Sequence, residues 1–267
     1  MNSLLSVVVA LVLFSMTSHA LERLTLTGSS TIAPVASEIA KRFESLNKDV
    51  RVDVQTGGSS RGIADARTGV ADIGMVSRAL KDSEADLKAY RFASDGIGLI
   101  VHASNGVSSL TDQQIIDIYT GKHSHWNQVG GKAAPISVVN KAEGRSTLEL
   151  FLKYFSLHPA KTKASVVIGD NEQGIKTVAG NPSAIGYVSI GSAEYSISKG
   201  VPIRLLPING VAATTTNVQK GLFPLSRPLN FVVSKGPSPV AKRFIQFAQS
   251  EKVKDLIQGQ YFVAAEK

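Results

Sequence analysis

The apolar positions of this chain change period repeatedly, and each change marks an element. Leu24 to Thr27 alternates as a strand does. Ile32, Val35, Ile39 and Phe43 then recur at helical spacing and predict a helix over Thr31 to Leu46. Pro34 fits its first turn, where a missing N–H is harmless. Val50 to Val54, Val-Arg-Val-Asp-Val, is a second strand. Gly62 to Thr68 is a short helix stopped by Gly69, and Ala71 to Val76 is a third strand running into Ser77-Arg78. This order predicts a mainly parallel sheet covered by helices.

The alternation continues to the C-terminus. Strands are predicted at Ile97 to His102, Ile136 to Val139, Val166 to Ile168, Ala184 to Val188, Ile203 to Leu206 and Leu229 to Val233. Helices are predicted at Asp112 to Tyr119 with Thr111 as N-cap, at Ser146 to Phe155, at Gln173 to Ala179, at Val240 to Gln249 and near Val253 to Gln258. Trp126, Phe244, Ile245 and Phe247 are expected in packing. No repeat and no low-complexity linker interrupts the chain, so two lobes would have to be joined by strands.

The N-terminus reads as a signal peptide over 1–20: Leu4 to Phe14 is almost wholly apolar, and Ser18-His19-Ala20 is a small-x-small cleavage site. Its n-region lacks Lys and Arg. The alternative, a membrane anchor, needs an apolar run of about 20 residues, longer than this one. The absence of cysteine removes disulfides, thiolate metal sites, cysteine catalysis and lipoprotein attachment. The expectation is a soluble, exported, periplasmic protein. The formal net charge is +8, but Lys and Arg are scattered, no basic arm is present and aromatics are only 6%, which argues for attraction of small anions rather than nucleic-acid binding.

Candidate chemistry lies in three Ser/Thr-rich turns at predicted helix starts: Gly28-Ser29-Ser30-Thr31, Gly57-Gly58-Ser59-Ser60-Arg61-Gly62 and Gly144-Arg145-Ser146-Thr147. Each offers backbone N–H groups, hydroxyls and the positive end of a helix, and two carry Arg, which is the chemistry that holds a small oxyanion. Any one of them alone is ordinary helix capping. His123-Ser-His125 has no acidic partner in sequence and is expected to face solvent, so no metal site is assigned.

These turns belong to a longer ordered set: Gly28-Ser-Ser-Thr-Ile-Ala-Pro34, Gly58-Ser-Ser-Arg-Gly62, Ala71-Asp-Ile-Gly-Met-Val-Ser-Arg78, Asp95-Gly96, Ile118-Tyr-Thr-Gly-Lys122 with Trp126-Asn127, Ala184-Ile-Gly-Tyr-Val188 and Pro224-Leu-Ser-Arg-Pro-Leu229. In that order and spacing, from about Leu24 to the C-terminus, the chain resembles the phosphate-binding component of bacterial phosphate ABC transporters, in its short form. The resemblance implies an α/β fold of the type 2 periplasmic-binding-protein kind, with mainly parallel sheets and a ligand cleft between two lobes joined by two hinge strands. It places lobe 1 at 21–96 plus 227–267 and lobe 2 at 97–226, with crossings near Asp95 to Val101 and Leu225 to Val232. Hinge closure on the ligand is implied.

The candidate phosphate-binding residues are Ser30, Thr31, Ser59, Ser60, Arg61, Ser77, Arg78, Arg145, Ser146 and Thr147, of which the resemblance implies Ser30, Thr31, Ser59, Ser146 and Thr147. Two departures stand out. Well-known members place an Asp after the Ser of the third strand, where it accepts the proton of hydrogen phosphate and excludes sulfate; this chain has Arg78, which accepts nothing. Asp95 and Asp72 are the alternative acceptors. The family commonly has Arg and Ser at the ends of the segment that here reads Lys141-Ala-Glu-Gly-Arg145, which moves the guanidinium from position 141 to 145 and leaves Lys141 outside the contact set. The bland readings are a solvated Arg61, an Arg78 paired with Asp82 or Glu84 on the surface, a surface Arg145 and a structural Asp72.

The expected function is capture of inorganic phosphate and delivery to an ABC-transporter permease, by a monomer without cofactor. The alternatives are a binder of another oxyanion such as sulfate, or a phosphate sensor or adaptor for a membrane receptor. No nucleophile elbow, cysteine nucleophile or metal-ligand cluster is visible, so no catalytic residue is assigned.

Overall fold

Strand and helix follow each other closely in the computed structural model, which describes residues 21–234 and 236–266; the expected signal peptide, 1–20, lies outside the described residues. The first half runs β1 (Glu22–Gly28), α1 (Ala33–Leu46), β2 (Val50–Thr56), α2 (Ser59–Thr68), β3 (Ile73–Val76), β4 (Lys88–His102), α3 (Asp112–Tyr119), β5 (Ser137–Lys141) and α4 (Ser146–Tyr154). The second half runs β6 (Val166–Ile168), α5 (Asn171–Ala179), β7 (Ala184–Ser189), α6 (Ile190–Ser198), β8 (Ile203–Leu206), α7 (Thr215–Gln219), β9 (Ser226–Val233), α8 (Pro239–Ala248), α9 (Lys254–Gly259) and β10 (Val263–Ala264).

The strands join in one ten-stranded sheet of order β2-β1-β3-β9-β4-β7-β5-β6, with β8 and β10 also on β4. It is mixed rather than mainly parallel. β1 runs parallel to β2 and β3, and β5 parallel to β6 and β7. Every pairing of β4 and β9 is antiparallel. The reason is topological: the chain crosses between lobes once outward and once back, so the two crossing strands oppose each other.

Two main cores flank the crossing. One lobe, built on β1 to β3, packs Leu24, Leu26, Ile39, Phe43, Phe231 and Phe244 together. Phe92 stacks on Phe231 at 4.4 Å, and Phe43 meets Phe244 edge-on at 5.3 Å. The buried residues of α1, among them Val35, Ile39 and Phe43, are the ones at helical spacing. The other lobe, built on β5 to β8, buries Ile115, Ile118, Tyr119, Trp126, Phe151 and Tyr187 on one side, with Phe151 stacked on Tyr187 at 3.8 Å. A further cluster with Ile175, Val178 and Val188 lies under α5 and α6. Together they form the two-lobed α/β architecture of type 2 periplasmic binding proteins.

β4 is longer than its apolar run. The expected strand starts at Ile97, yet pairing begins at Lys88 and continues with β9 to Gly96 across a bulge between Arg91 and Ala93. From Ile97 on, β4 pairs with β7. Lys88 to Gly96 carries Lys, Arg and Asp and shows no clean alternation, so its extended form depends on β9. α6 is likewise absent from the periodicity, since Gly191 and several serines dilute its apolar face; the Ser189 hydroxyl caps it by accepting from the Ser192 N–H.

Three backbones meet closely below the first two turns. Gly28, with φ +129°, ends β1, and a Cβ there would lie 2.4 Å from the Met75 carbonyl. A Cβ on Gly62 would lie 2.8 Å from the Thr27 carbonyl and 2.9 Å from that of Met75. These glycines allow the start of α2 to sit against the carboxyl ends of β1 and β3. Gly62→Ala is therefore expected to destabilise the protein by about 1–3 kcal/mol through overpacking, despite the better helix propensity of Ala. Urea unfolding of the two proteins measures it; an Ala variant as stable as the parent contradicts the close packing.

Candidate functional site

The three turns converge where the lobes touch. α1, α2 and α4 begin at Ile32, Gly58 and Arg145, none of which supplies a side-chain cap. By contrast α3, α5, α6, α7 and α8 are each capped by a Ser, Thr or Asp side chain. A helix start left without a side-chain cap presents partial positive charge to whatever lies in front of it. In α1 the turn itself is held by Ser29, whose Oγ accepts the Thr31 N–H at 3.2 Å and whose carbonyl accepts from Ile32 and Ala33.

In front of these starts stands a cluster of hydroxyls. The Ser29 hydroxyl donates to Ser77 Oγ at 2.9 Å, and Ser77 Oγ lies 2.6 Å from Ser146 Oγ of the other lobe. Ser59 Oγ accepts the Ser77 N–H at 3.2 Å. Arg227, on the crossing strand β9, joins the rest: Nη1 donates to Thr147 Oγ1 at 2.9 Å and Nη2 to Thr31 Oγ1 at 3.1 Å. Asn171 Nδ2 donates to Thr31 Oγ1 at 3.0 Å from the opposite lobe. Thr31, Ser59, Ser77, Ser146, Thr147, Asn171 and Arg227 are each no more than 5% exposed.

Arg227 is anchored by Asp95, its register partner across β4 and β9. Asp95 Oδ2 accepts from Arg227 Nε at 3.1 Å and Nη2 at 2.8 Å, while Oδ1 accepts the Gly191 N–H at 3.2 Å. Both side chains are 1% exposed. Asp72, the other acceptor considered, instead accepts the Thr25 N–H at 2.8 Å, at the far end of β3 from Ser77.

Of the ten sequence-derived candidates, Thr31, Ser59, Ser77, Ser146 and Thr147 lie within this cluster. Ser30 lines a groove between the lobes with Pro34, Thr56, Asp170, Asn171 and Ser192. Ser60 bridges the lobes, its N–H donating to the Gly144 carbonyl at 3.2 Å and its hydroxyl to Glu149 Oε1 at 3.2 Å. Arg145 stands at the start of α4 with a buried Nε that meets no acceptor. Arg61 is exposed and turned along α2 to Asp65 at 3.0 Å, with further bonds to Thr56 and Gln55. Arg78 is buried, not on the surface, and its guanidinium is gripped by Glu84 through two bonds of 2.8 Å. Those bonds hold the Glu84 carboxyl below its ordinary range.

Sequence reasoning left out Arg227 and Asn171. Arg227 lies inside the Pro224 to Leu229 motif, and its position on a crossing strand was the available signal. Asn171 opens α5 beside its cap Asp170, ahead of the helix start that periodicity marks. Of the His pair, His123 does have an acidic neighbour, Asp117 at 3.5 Å, and His125 contacts Ser124. Among the described residues no group of three His, Asp or Glu side chains could hold a metal ion.

The cluster is rich in cations. Lys141, 4% exposed, donates to the Asp170 carbonyl at 2.8 Å and to Asn171 Oδ1 at 3.0 Å. Burial, aided by the charges of Arg227 and Arg145 and opposed by Asp170, lowers its pKa from 10.5 to about 7. The unfolded chain thus binds more protons than the folded one between pH 7 and 10.5, so stability contributed at this site rises with pH across that window. We expect the ligand-free protein to gain stability from pH 6.5 to 9, measured by urea midpoints, and Lys141→Met to flatten that gain. An equal slope in both proteins contradicts the assignment.

The fold and cluster have counterparts in known proteins. A family model described as a PBP superfamily domain matches residues 15–252. A chain from Clostridium perfringens, assigned to the phosphate ABC transporter substrate-binding proteins and solved with bound phosphate, is 33% identical; the match covers 92% of this chain and 100% of that one, with a TM-score of 0.85. An ABC-type phosphate transport receptor from Vibrio cholerae is 30% identical over 90% of this chain and 99% of its own, with a TM-score of 0.73. The phosphate-binding protein PstS of Bacillus subtilis is 28% identical over 245 residues, 90% of this chain and 80% of that protein. The chain therefore belongs to the PBP superfamily and, within it, to the substrate-binding proteins of phosphate ABC transporters.

Proposed function

We propose that this protein captures inorganic phosphate between its lobes and delivers it to an ABC-transporter permease. One observation carries the reading: hydroxyls from both lobes and the Arg227 guanidinium gather in front of three helix starts without side-chain caps. A tetrahedral oxyanion with several acceptor oxygens matches donors that converge from so many directions. The relatives named for phosphate select that oxyanion among others.

The binding set we infer is Thr31, Ser59, Ser77, Ser146, Thr147 and Arg227, with Arg145 closing it from the second lobe and Ser30 and Ser60 at its edge. Arg61 and Arg78 fall outside it, because Asp65 and Glu84 hold them. Charge-assisted hydrogen bonds contribute on the order of 1.5–3 kcal/mol each, and several suffice for micromolar binding or tighter. We assign 21–96 with 227–267 to one lobe and 97–226 to the other. One chain supplies both walls of the cleft, so a monomer suffices, and the protein acts by binding alone. Export behind the 1–20 leader, with no lipid anchor, completes the reading. Among the described residues no helix is long and apolar enough to cross a membrane.

A second reading, another tetrahedral oxyanion such as sulfate, is favoured by one feature. Asp95 is the carboxylate at the cluster, and its oxygens already serve Arg227 and Gly191, while Arg78 occupies the position of the family's acceptor. Calorimetry on protein stripped by partial unfolding separates the readings. We expect phosphate to bind with a Kd of micromolar or below and sulfate to compete weakly at pH 6 and pH 8. No heat with phosphate sinks the proposal, and equal competition by sulfate replaces it with the second reading. Thr147→Val and Arg145→Ala should each weaken phosphate binding tenfold or more, on the order of 1.4 kcal/mol; unchanged affinity removes that residue from the set.

A further inference from the structure

Glu149 links the lobes beside the cluster without belonging to it. It sits in the first turn of α4, three residues after Ser146, the spacing of a capping box. Yet Arg145 holds the N-cap position, and the Glu149 carboxylate reaches across to the other lobe. Its Oε1 accepts the Ser60 hydroxyl at 3.2 Å. Its Oε2 meets Lys81 Nζ at 2.8 Å and lies 3.3 Å from Arg78 Nε, as an ion pair without hydrogen-bond alignment. All three partners belong to the lobe built on β1 to β3.

The receiving side is rigid. Glu84 fixes the Arg78 guanidinium through two bonds, and Asn230 Nδ2 donates to the Arg78 carbonyl at 2.8 Å. Glu84 Oε2 also accepts the Lys81 N–H at 2.9 Å, so the segment carrying both cations is held as one unit. Next to it, the Ser60 N–H donates to the Gly144 carbonyl, and a Cβ on Gly58 would lie 2.6 Å from that same carbonyl. The contact can exist only when the lobes are together.

We propose that Glu149, held by Ser60, Arg78 and Lys81, is a closure latch that sets how long the lobes stay shut on the ligand. It rests on the phosphate-binding reading above. Closure sets Arg227, on the crossing strand, against Arg145 and Lys141 of the second lobe, which like-charge repulsion opposes until an anion enters; the latch offsets part of that opposition. Apparent affinity scales with the fraction of protein in the binding-competent closed state, so a residue that never touches the anion changes its Kd. The same role accounts for Arg78 where the family's acceptor is expected: its charge is directed at Glu84 and Glu149 rather than at a ligand.

The test uses the full chain and inorganic phosphate, with calorimetry for Kd, stopped-flow for association and release, and small-angle X-ray scattering for lobe closure. Glu149→Gln should raise Kd about three- to tenfold, the range for a partly exposed ion pair with one buried partner. The change should lie in release, with association unaltered. Lys81→Ala should shift release in the same direction by less, and the double variant should fall short of the product of the two effects. Unchanged Kd and release in Glu149→Gln overturn the latch, as does a loss confined to association. Should Glu149→Gln fail to fold, Lys81→Ala decides, since that side chain is 54% exposed and its loss leaves the core intact. If the parent protein takes up no phosphate, the phosphate reading falls; the latch is then judged by scattering alone, and equal radii of gyration for the ligand-free parent and variant overturn it.

Discussion

The buried pair of Arg227 and Asp95 is the interaction on which the cleft depends. The two residues are register partners on the strands that cross between the lobes, each 1% exposed. A lone charge there would be prohibitive, and removing one partner of such a pair costs roughly 3–5 kcal/mol. Asp95 takes the Nε side of the guanidinium and steadies its plane. The remaining N–H groups then reach Thr31 in one lobe and Thr147 in the other. The crossing strands and the hydroxyl cluster therefore share one cation.

Everything else in the site follows from bringing helix starts up to that cation. The carboxyl ends of β1 and β2 lead into α1 and α2 at the cleft, and β5 does the same for α4. Glycine at 28 and 62 lets the backbones approach closely enough for hydroxyls from separate turns to share hydrogen bonds. Arg145 and Lys141 add further cationic groups, and burial, with a smaller contribution from the Arg227 and Arg145 charges, lowers the Lys141 pKa.

Local signals in the chain reached a good part of this. The spacing of Ile32, Val35, Ile39 and Phe43 located α1, and Thr111 located the start of α3, where its hydroxyl and the Gln114 side chain form a capping box. Thr31, Ser59, Ser146 and Thr147 were legible because they stand in Gly-rich turns at helix starts, a pattern with a local cause. Lys88 to Gly96 was not legible, because its strand form comes from β9, which lies more than a hundred residues away. Arg61 and Arg78 show the same limit from the other side. Arg61 looked suited to an anion from its turn and Arg78 from its place after the third strand, but Asp65 and Glu84 decide where each guanidinium points.

By itself, then, the sequence determined most of the helices and strands, which turns are rich in donors, and which family pattern they match. These are short-range properties, written in periodicity, capping chemistry and glycine placement. Only the tertiary structure decided that Arg227 and Asn171 enter the cluster, that Arg78 leaves it, that the sheet is mixed at the crossing, and that Glu149 turns toward the opposite lobe. Those outcomes depend on which side chains meet across the sheet and across the cleft, and such long-range pairing is not encoded in the neighbourhood of any one residue.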